Sequence, residues 1–192
     1  IEQSSRWYSG AGLYRPVYAW VGKTVHIPAQ GVRVTTREAD CEAAVVEVEV
    51  PICNRGMVSE TVQVEITLTG PNGAEAAAEH IPVTVFGEST QMCCQRLLVE
   101  HPALWSDETP NLYSCRITIS EDENPIDSVN ISTGIRTLRL HAKHGLLVNG
   151  KPTKLRGTCI HHDNGIIGAA TFPDAEYRRC RQMKEAGFNA LR

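Results

Sequence analysis

The chain has 192 residues, 42% of them hydrophobic, and a formal charge of −3 from 19 basic and 22 acidic side chains. That length suits one large domain, or one domain with appendages. The near-balanced charge lacks the basic footprint of a nucleic-acid binder, and no apolar run reaches the length of a membrane span.

Residues 1–23 are expected to be the last strand or two of a preceding domain. Leu13, Arg15, Val17 and Ala19 fall on one face, and Tyr14, Tyr18 and Trp20 on the other. So short a piece cannot bury Trp7, Tyr8 and Trp20 by itself, so these rings lean on the next domain or stay partly exposed. From Thr24 to about Leu140 the pattern is all strand. Val46, Val48, Val50 and Ile52 alternate with Glu47, Glu49 and Pro51, which predicts a half-buried strand with a charged outer face. Val62, Val64, Ile66 and Leu68 alternate with polar residues and end at the turn signal Gly70-Pro71-Asn72-Gly73. Further strands are expected at Ile81–Val85, Ser89–Val99 and Tyr113–Ile119, with the last one or two between Ile126 and Leu140. The Glu- and Ala-rich stretch 74–79 carries the weakest strand signal. About seven short strands with regular turn signals and no helical period predict a mainly β protein built on a two-sheet sandwich.

The pattern changes after residue 140. Asn149-Gly150 is a hairpin signal, because both central positions of a tight primed turn need positive φ. Lys154–Thr158 reads as a short strand that runs into a loop at Cys159–Asp163. Asp174–Ala186 reads as a helix with Pro173 at its start and Gly187 at its end. Tyr177, Cys180 and Met183 would form its apolar stripe, and Arg178, Arg179, Gln182 and Glu185 would face water. Phe188–Leu191 reads as the next strand, so the order is that of a parallel crossover unit. The seven cysteines, Cys41, Cys53, Cys93, Cys94, Cys115, Cys159 and Cys180, form no C-x-x-C pair. They are expected to be free thiols acting as small hydrophobes, with one bridge left open.

Several of these stretches resemble a known family. L-R-G-T-C-I-H-H-D at 155–163 and M-K-E-A-G-F-N-A-L-R at 183–192 resemble the opening of the catalytic barrel of glycoside hydrolase family 2. H-H-D-N-G-I-I-G-A-A at 161–170 is most similar to its β-galactosidase branch. S-R-W-Y-S-G-A-G-L-Y-R-P-V at 5–17 resembles the end of the family's sugar-binding sandwich. P-A-L-W-S-D-E-T-P-N-L-Y at 102–113, with G-I-R at 134–136, resembles its immunoglobulin-like second domain. The resemblance implies three parts: 1–23, the last strands of the sugar-binding sandwich; 24–140, an immunoglobulin-like β-sandwich; and 141–192, the first βαβ unit of a truncated TIM barrel.

Candidate site residues follow from this placement. In a barrel of alternating strands and helices the active site lies at the C-terminal strand ends. Cys159–Asp163 and Arg192 fall at two such ends, where imidazole and guanidinium groups could hydrogen-bond sugar hydroxyls. By motif position, His161 matches the family histidine that binds the glycone, and Arg192 the arginine ending the second barrel strand. His162 and Asp163 complete the substrate-binding candidates, with capping of the strand end as the alternative for all four. Cys159 departs from the family pattern, which commonly has asparagine there. A metal site at His161-His162-Asp163 is not expected, since adjacent residues on extended chain point apart. His26, His80, His101, His141 and His144 are expected to serve surface or packing roles, and Trp105 to be a core tryptophan of the sandwich rather than a sugar-stacking platform.

The resemblance implies a retaining exo-glycosidase of terminal β-linked sugars, β-galactosides foremost. Such enzymes need two carboxyl groups about 5–5.5 Å apart. The family's two glutamates lie on later barrel strands, so these 192 residues are expected to hold no catalytic residue and to be inactive alone. A carbohydrate substrate is the expected partner, with no cofactor, metal, nucleic acid or membrane, and with homo-oligomerisation and compartment left open. The alternative is a stand-alone carbohydrate-binding or cell-surface sandwich.

Overall fold

The computed structural model describes residues 12–13, 15–161 and 164–192. The chain divides into two compact units. One runs from Trp20 to Thr153; the other combines the chain up to Ala19 with Lys154–Arg192.

The first unit is a β-sandwich. Its elements in chain order are β1 (Val25–His26), β2 (Arg33–Ala39), β3 (Ala43–Asn54), β4 (Glu60–Thr69), β5 (Glu75–Val85), β6 (Ser89–Glu100), β7 (Tyr113–Glu121) and β8 (Asn124–Thr133). In one sheet β6 pairs along the whole of β3, while β2 and β1 share the other side of that strand. The second sheet has the order β5-β4-β7-β8, with every pair antiparallel. The alternation read from the sequence is what joins them. Val46, Val48, Val50 and Ile52 of β3 and Val62, Val64, Ile66 and Leu68 of β4 are all fully buried, together with Cys115, Ile117 and Ile119 of β7. Each aliphatic side chain among them contributes about 1.5–3 kcal/mol by leaving water, so this one cluster is a main source of the unit's hydrophobic stabilisation.

The loops that carry the recognisable motifs are held by specific contacts. Asn54 is completely buried; its Nδ2 donates to the carbonyls of Val58 (2.8 Å) and Val85 (3.1 Å), and its Oδ1 accepts from Gly56 N (2.8 Å). The buried Tyr113 hydroxyl accepts from Ala103 N at 2.8 Å, and Asn111 Nδ2 donates to Leu104 O at 3.0 Å, which folds 102–113 back on itself. Trp105, within this loop, is half-buried and outside the core where it was expected. The Arg136 guanidinium lies 4.5 Å over its ring, and a Cβ at Gly134 would stand 2.8 Å from its Cγ. Gly-Ile-Arg at 134–136 is therefore a packing motif: Gly134 admits the indole, Ile135 enters the core, and Arg136 covers a ring face.

A third, three-stranded sheet follows within the same unit: β9 (Leu138–His141), β10 (Gly145–Val148) and β11 (Lys151–Pro152). Asn149 (φ 50°) and Gly150 (φ 77°) form the β10–β11 turn in the left-handed conformation foreseen for them. The expected division at 140/141 thus falls inside this compact unit.

The second unit contains β12 (Gly157–Thr158), α1 (Pro173–Glu185) and β13 (Ala190–Leu191), with β12 and β13 parallel. Pro173 opens the helix. It closes in a Schellman motif, where Gly187 takes φ 90° and the amides of Gly187 and Phe188 donate to the carbonyls of Lys184 and Met183. The expected stripe is corrected: Tyr177 and Cys180 are exposed, and the more covered positions are Ala175, Glu176, Arg179 and Met183. Spacing alone could not reveal that Glu176 and Arg179 are drawn in by polar partners. Of the stretch before Thr24 expected to end a preceding domain, residues 1–11 and 14 lie outside the described residues, and the described ones form no ladder among themselves. Extended sequence becomes a strand only when a neighbour takes its backbone groups, and Val17, Tyr18, Trp20 and Val21 all remain exposed.

Candidate functional site

Two parallel strands end together in the second unit. Arg192 N donates to Thr158 O at 3.0 Å, and Ile160 N donates to Arg192 O at 2.9 Å, so the ladder continues past both assigned strand ends. His161 directly follows Ile160, and the structure therefore brings His161 and Arg192 to the same strand-end rim. The Arg192 Nη1 also stands 3.9 Å from Cys159 Sγ, so the residue that departs from the family pattern is in contact with one of the expected site residues. His162 and Asp163 lie outside the described residues.

Side chains that the sequence did not single out fix this arrangement. Asn189 Oδ1 accepts from Arg156 N at 2.7 Å while its Nδ2 donates to Lys154 O at 3.1 Å, which sets the register of the two strands. Arg156 returns a bond from Nε to Gly187 O at 3.2 Å. Gly157 lets β12 and β13 approach closely, since a Cβ there would stand 3.3 Å from both the Cβ and the carbonyl oxygen of Ala190, a tight fit. The loop beyond is closed by Asn164, whose Nδ2 donates to Ala170 O (2.8 Å) and whose backbone N donates to Gly168 O (2.9 Å). Arg179, expected in solvent, donates to His161 O (3.3 Å) and to Asn164 Oδ1. Asn before a strand and Asn after one were the available signals, because this side chain can bond backbone donors and acceptors at once.

The rim offers an imidazole, a guanidinium and a thiol as hydrogen-bonding groups. The acidic side chains of this unit within the described residues, Asp174, Glu176 and Glu185, all stand on α1. Glu185 pairs with Arg181 at 2.8 Å, and Glu176 accepts from Thr171 Oγ1 at 2.5 Å. Among the described residues no three His, Cys, Asp or Glu side chains gather as metal ligands, and no helix is long and apolar enough to cross a membrane.

Residues 25–136, more than half of the chain, match the family described as Glycosyl hydrolases family 2. The chain belongs to that family. Along its whole length it is 35% identical to the β-galactosidase BoGH2A of Bacteroides ovatus, of which it spans 22%. A glycosyl hydrolase family 2 member from Bacteroides cellulosilyticus superposes on 97% of the chain with a TM-score of 0.91 and 37% identity, and the chain spans 26% of that structure. A β-glucuronidase of Bacteroides uniformis superposes on 88% with a TM-score of 0.81 and 26% identity, with 21% of its length spanned. The chain thus corresponds to about a quarter of the length of these proteins or less.

Proposed function

We propose that the protein carrying this chain is a retaining exo-glycosidase that hydrolyses terminal β-linked sugars, with β-galactosides as its substrates. The single observation that carries the reading is the convergence of His161 and Arg192 at the C-terminal ends of two parallel strands joined by a helix. In this reading 141–192 opens the catalytic barrel, 24–140 is an immunoglobulin-like sandwich that acts as scaffold, and 1–23 ends a sugar-binding domain. His161 and Arg192, with His162 and Asp163 beside them in sequence, bind the glycone.

Two glutamates on later barrel strands would perform the reaction. One carboxylate attacks the anomeric carbon as the other carboxyl protonates the departing glycosidic oxygen. Water, deprotonated by that second group, then releases the sugar from the glycosyl-enzyme. Donors at the rim would strengthen their bonds to sugar hydroxyls as the ring becomes oxocarbenium-like. The 192 residues alone are then inactive.

Similarity to a β-galactosidase over the whole chain supports the galactoside reading over a stand-alone binding module, and similarity to a β-glucuronidase makes β-glucuronides the comparison substrate. His161→Ala in the whole enzyme is expected to lower kcat/KM about a hundredfold at unchanged melting temperature, a few kcal/mol of lost transition-state binding. Near wild-type kinetics of that variant on both chromogenic glycosides would sink the glycone role, and a strong preference for the glucuronide would reassign the substrate.

A further inference from the structure

Arg179 stands in the middle of α1, where an arginine is ordinarily left in water. Here its side chain is only 22% exposed. Ordering so long a side chain costs rotamer entropy that an exposed pose would avoid, so the contacts that hold it have to return more. Its Nη1 donates to His161 O at 3.3 Å and its Nη2 to Asn164 Oδ1. Glu176, one turn earlier and itself held by Thr171 Oγ1, lies 3.6 Å from Nη1 and supplies the countercharge. Asn164 passes the tie on to Ala170 O. One guanidinium thus links the helix to two points of the loop, three residues apart, with His161 as the point next to the strand end. The planar fork of arginine can serve two such acceptors together; a lysine ammonium, as a point donor on a flexible stem, is poorly shaped for it.

We propose that Arg179 is the positioning residue of the strand-end site, setting the backbone from which His161 reaches the glycone. The inference rests on the glycone role of His161 and deepens it. Displacement of a binding group by about 1 Å is enough to cost up to about a hundredfold in rate.

The test uses the whole enzyme carrying this chain, with a chromogenic β-galactoside and β-glucuronide as probes, and compares Arg179→Met, Arg179→Lys, His161→Ala and the double variant Arg179→Met with His161→Ala. Arg179→Met is expected to lower kcat/KM about ten- to a hundredfold with little change in melting temperature, and Arg179→Lys to fall with it. In the His161→Ala background the Arg179→Met change is expected to cost less than about twofold, because Arg179 acts through His161. Wild-type kinetics for Arg179→Met, full recovery in Arg179→Lys, or a loss that adds in full to that of His161→Ala would each overturn the proposal while leaving the role of His161 intact. Wild-type kinetics for His161→Ala would overturn both. If Arg179→Met does not fold, Arg179→Lys, which keeps the charge and loses the planar fork, is measured alone and with His161→Ala, and the same outcomes decide.

Discussion

Glu47 sits on the face of β3 that the alternation assigns to solvent, yet it is only 7% exposed. Arg37 donates to Oε1 from Nε at 2.9 Å and also from Nη2, and Arg96 donates to Oε2 at 2.9 Å. The register of β2 on β3 shifts between Thr36 and Glu38, so Arg37 leaves the ladder at the point where its side chain reaches Glu47. Arg96 comes from the directly opposed position on β6. The hydrogen bonds from Arg37, then those from Arg96, pull the Glu47 carboxyl from an ordinary 4.5 down to about 2. A carboxyl whose folded value is depressed stabilises the fold above its unfolded value, and that contribution disappears as pH falls through the folded one. The stability difference between the wild type and Glu47→Gln is therefore expected to be full above about pH 5 and to close between about 4.5 and 2. Urea melts at several pH values measure it, and a difference independent of pH would refute the assignment. Asn54 makes the complementary case. Asn54→Ala removes three bonds and strands the carbonyl of Val85 in the interior, so a loss of about 2–4 kcal/mol is expected in the same melts.

At the scale of elements, legibility depended on whether local sequence alone determines the feature. Strands β3, β4 and β7 were readable because every second residue is apolar and their inner faces are buried. The primed turn at Asn149-Gly150 and the stop at Gly187 were readable because each needs a backbone conformation that few residues tolerate. Strand β2 was not readable: Arg-Val-Thr-Thr-Arg-Glu-Ala offers little apolar alternation, and it exists because β3 has a free side to pair. Strand β5 extends back through the Glu- and Ala-rich stretch for a similar reason, its backbone being held by β4. At the candidate site, the motif order picked out His161 and Arg192 as candidates, while Arg179 was assigned to solvent and Asn189 was not singled out, because their partners are backbone atoms and a loop amide distant in sequence. Element stability follows the same division. Helix α1 has no buried residue, whereas β3 is paired on both sides. A helix of that length is marginal alone in water. Hydrogen exchange is expected to be fast at Asp174–Ala186 and slow at Val46–Ile52 in the 192-residue chain, and equal protection of the two would contradict the contrast.

At the scale of the whole molecule, the sandwich unit holds the buried hydrophobic core and the smaller unit holds the candidate site. The proposed division of labour predicts no turnover of a chromogenic β-galactoside by the 192 residues alone, and activity of the pure chain above a matched blank would refute it. The distribution of thiols offers another way to see the two units. All seven cysteines are unpaired. Cys53, Cys93 and Cys115 are buried in the sandwich, while Cys41, Cys94, Cys159 and Cys180 are exposed. Burial pushes the Cys115 thiol up to about 11, which withholds the reactive thiolate as well as access to it. An alkylating reagent should therefore tag four sulfurs at once and the remaining three only as often as the sandwich opens. The chain carries its own clock for breathing of the core, readable by mass as a slow second phase. The two tags on Cys159 and Cys180 would already be in place before that clock starts.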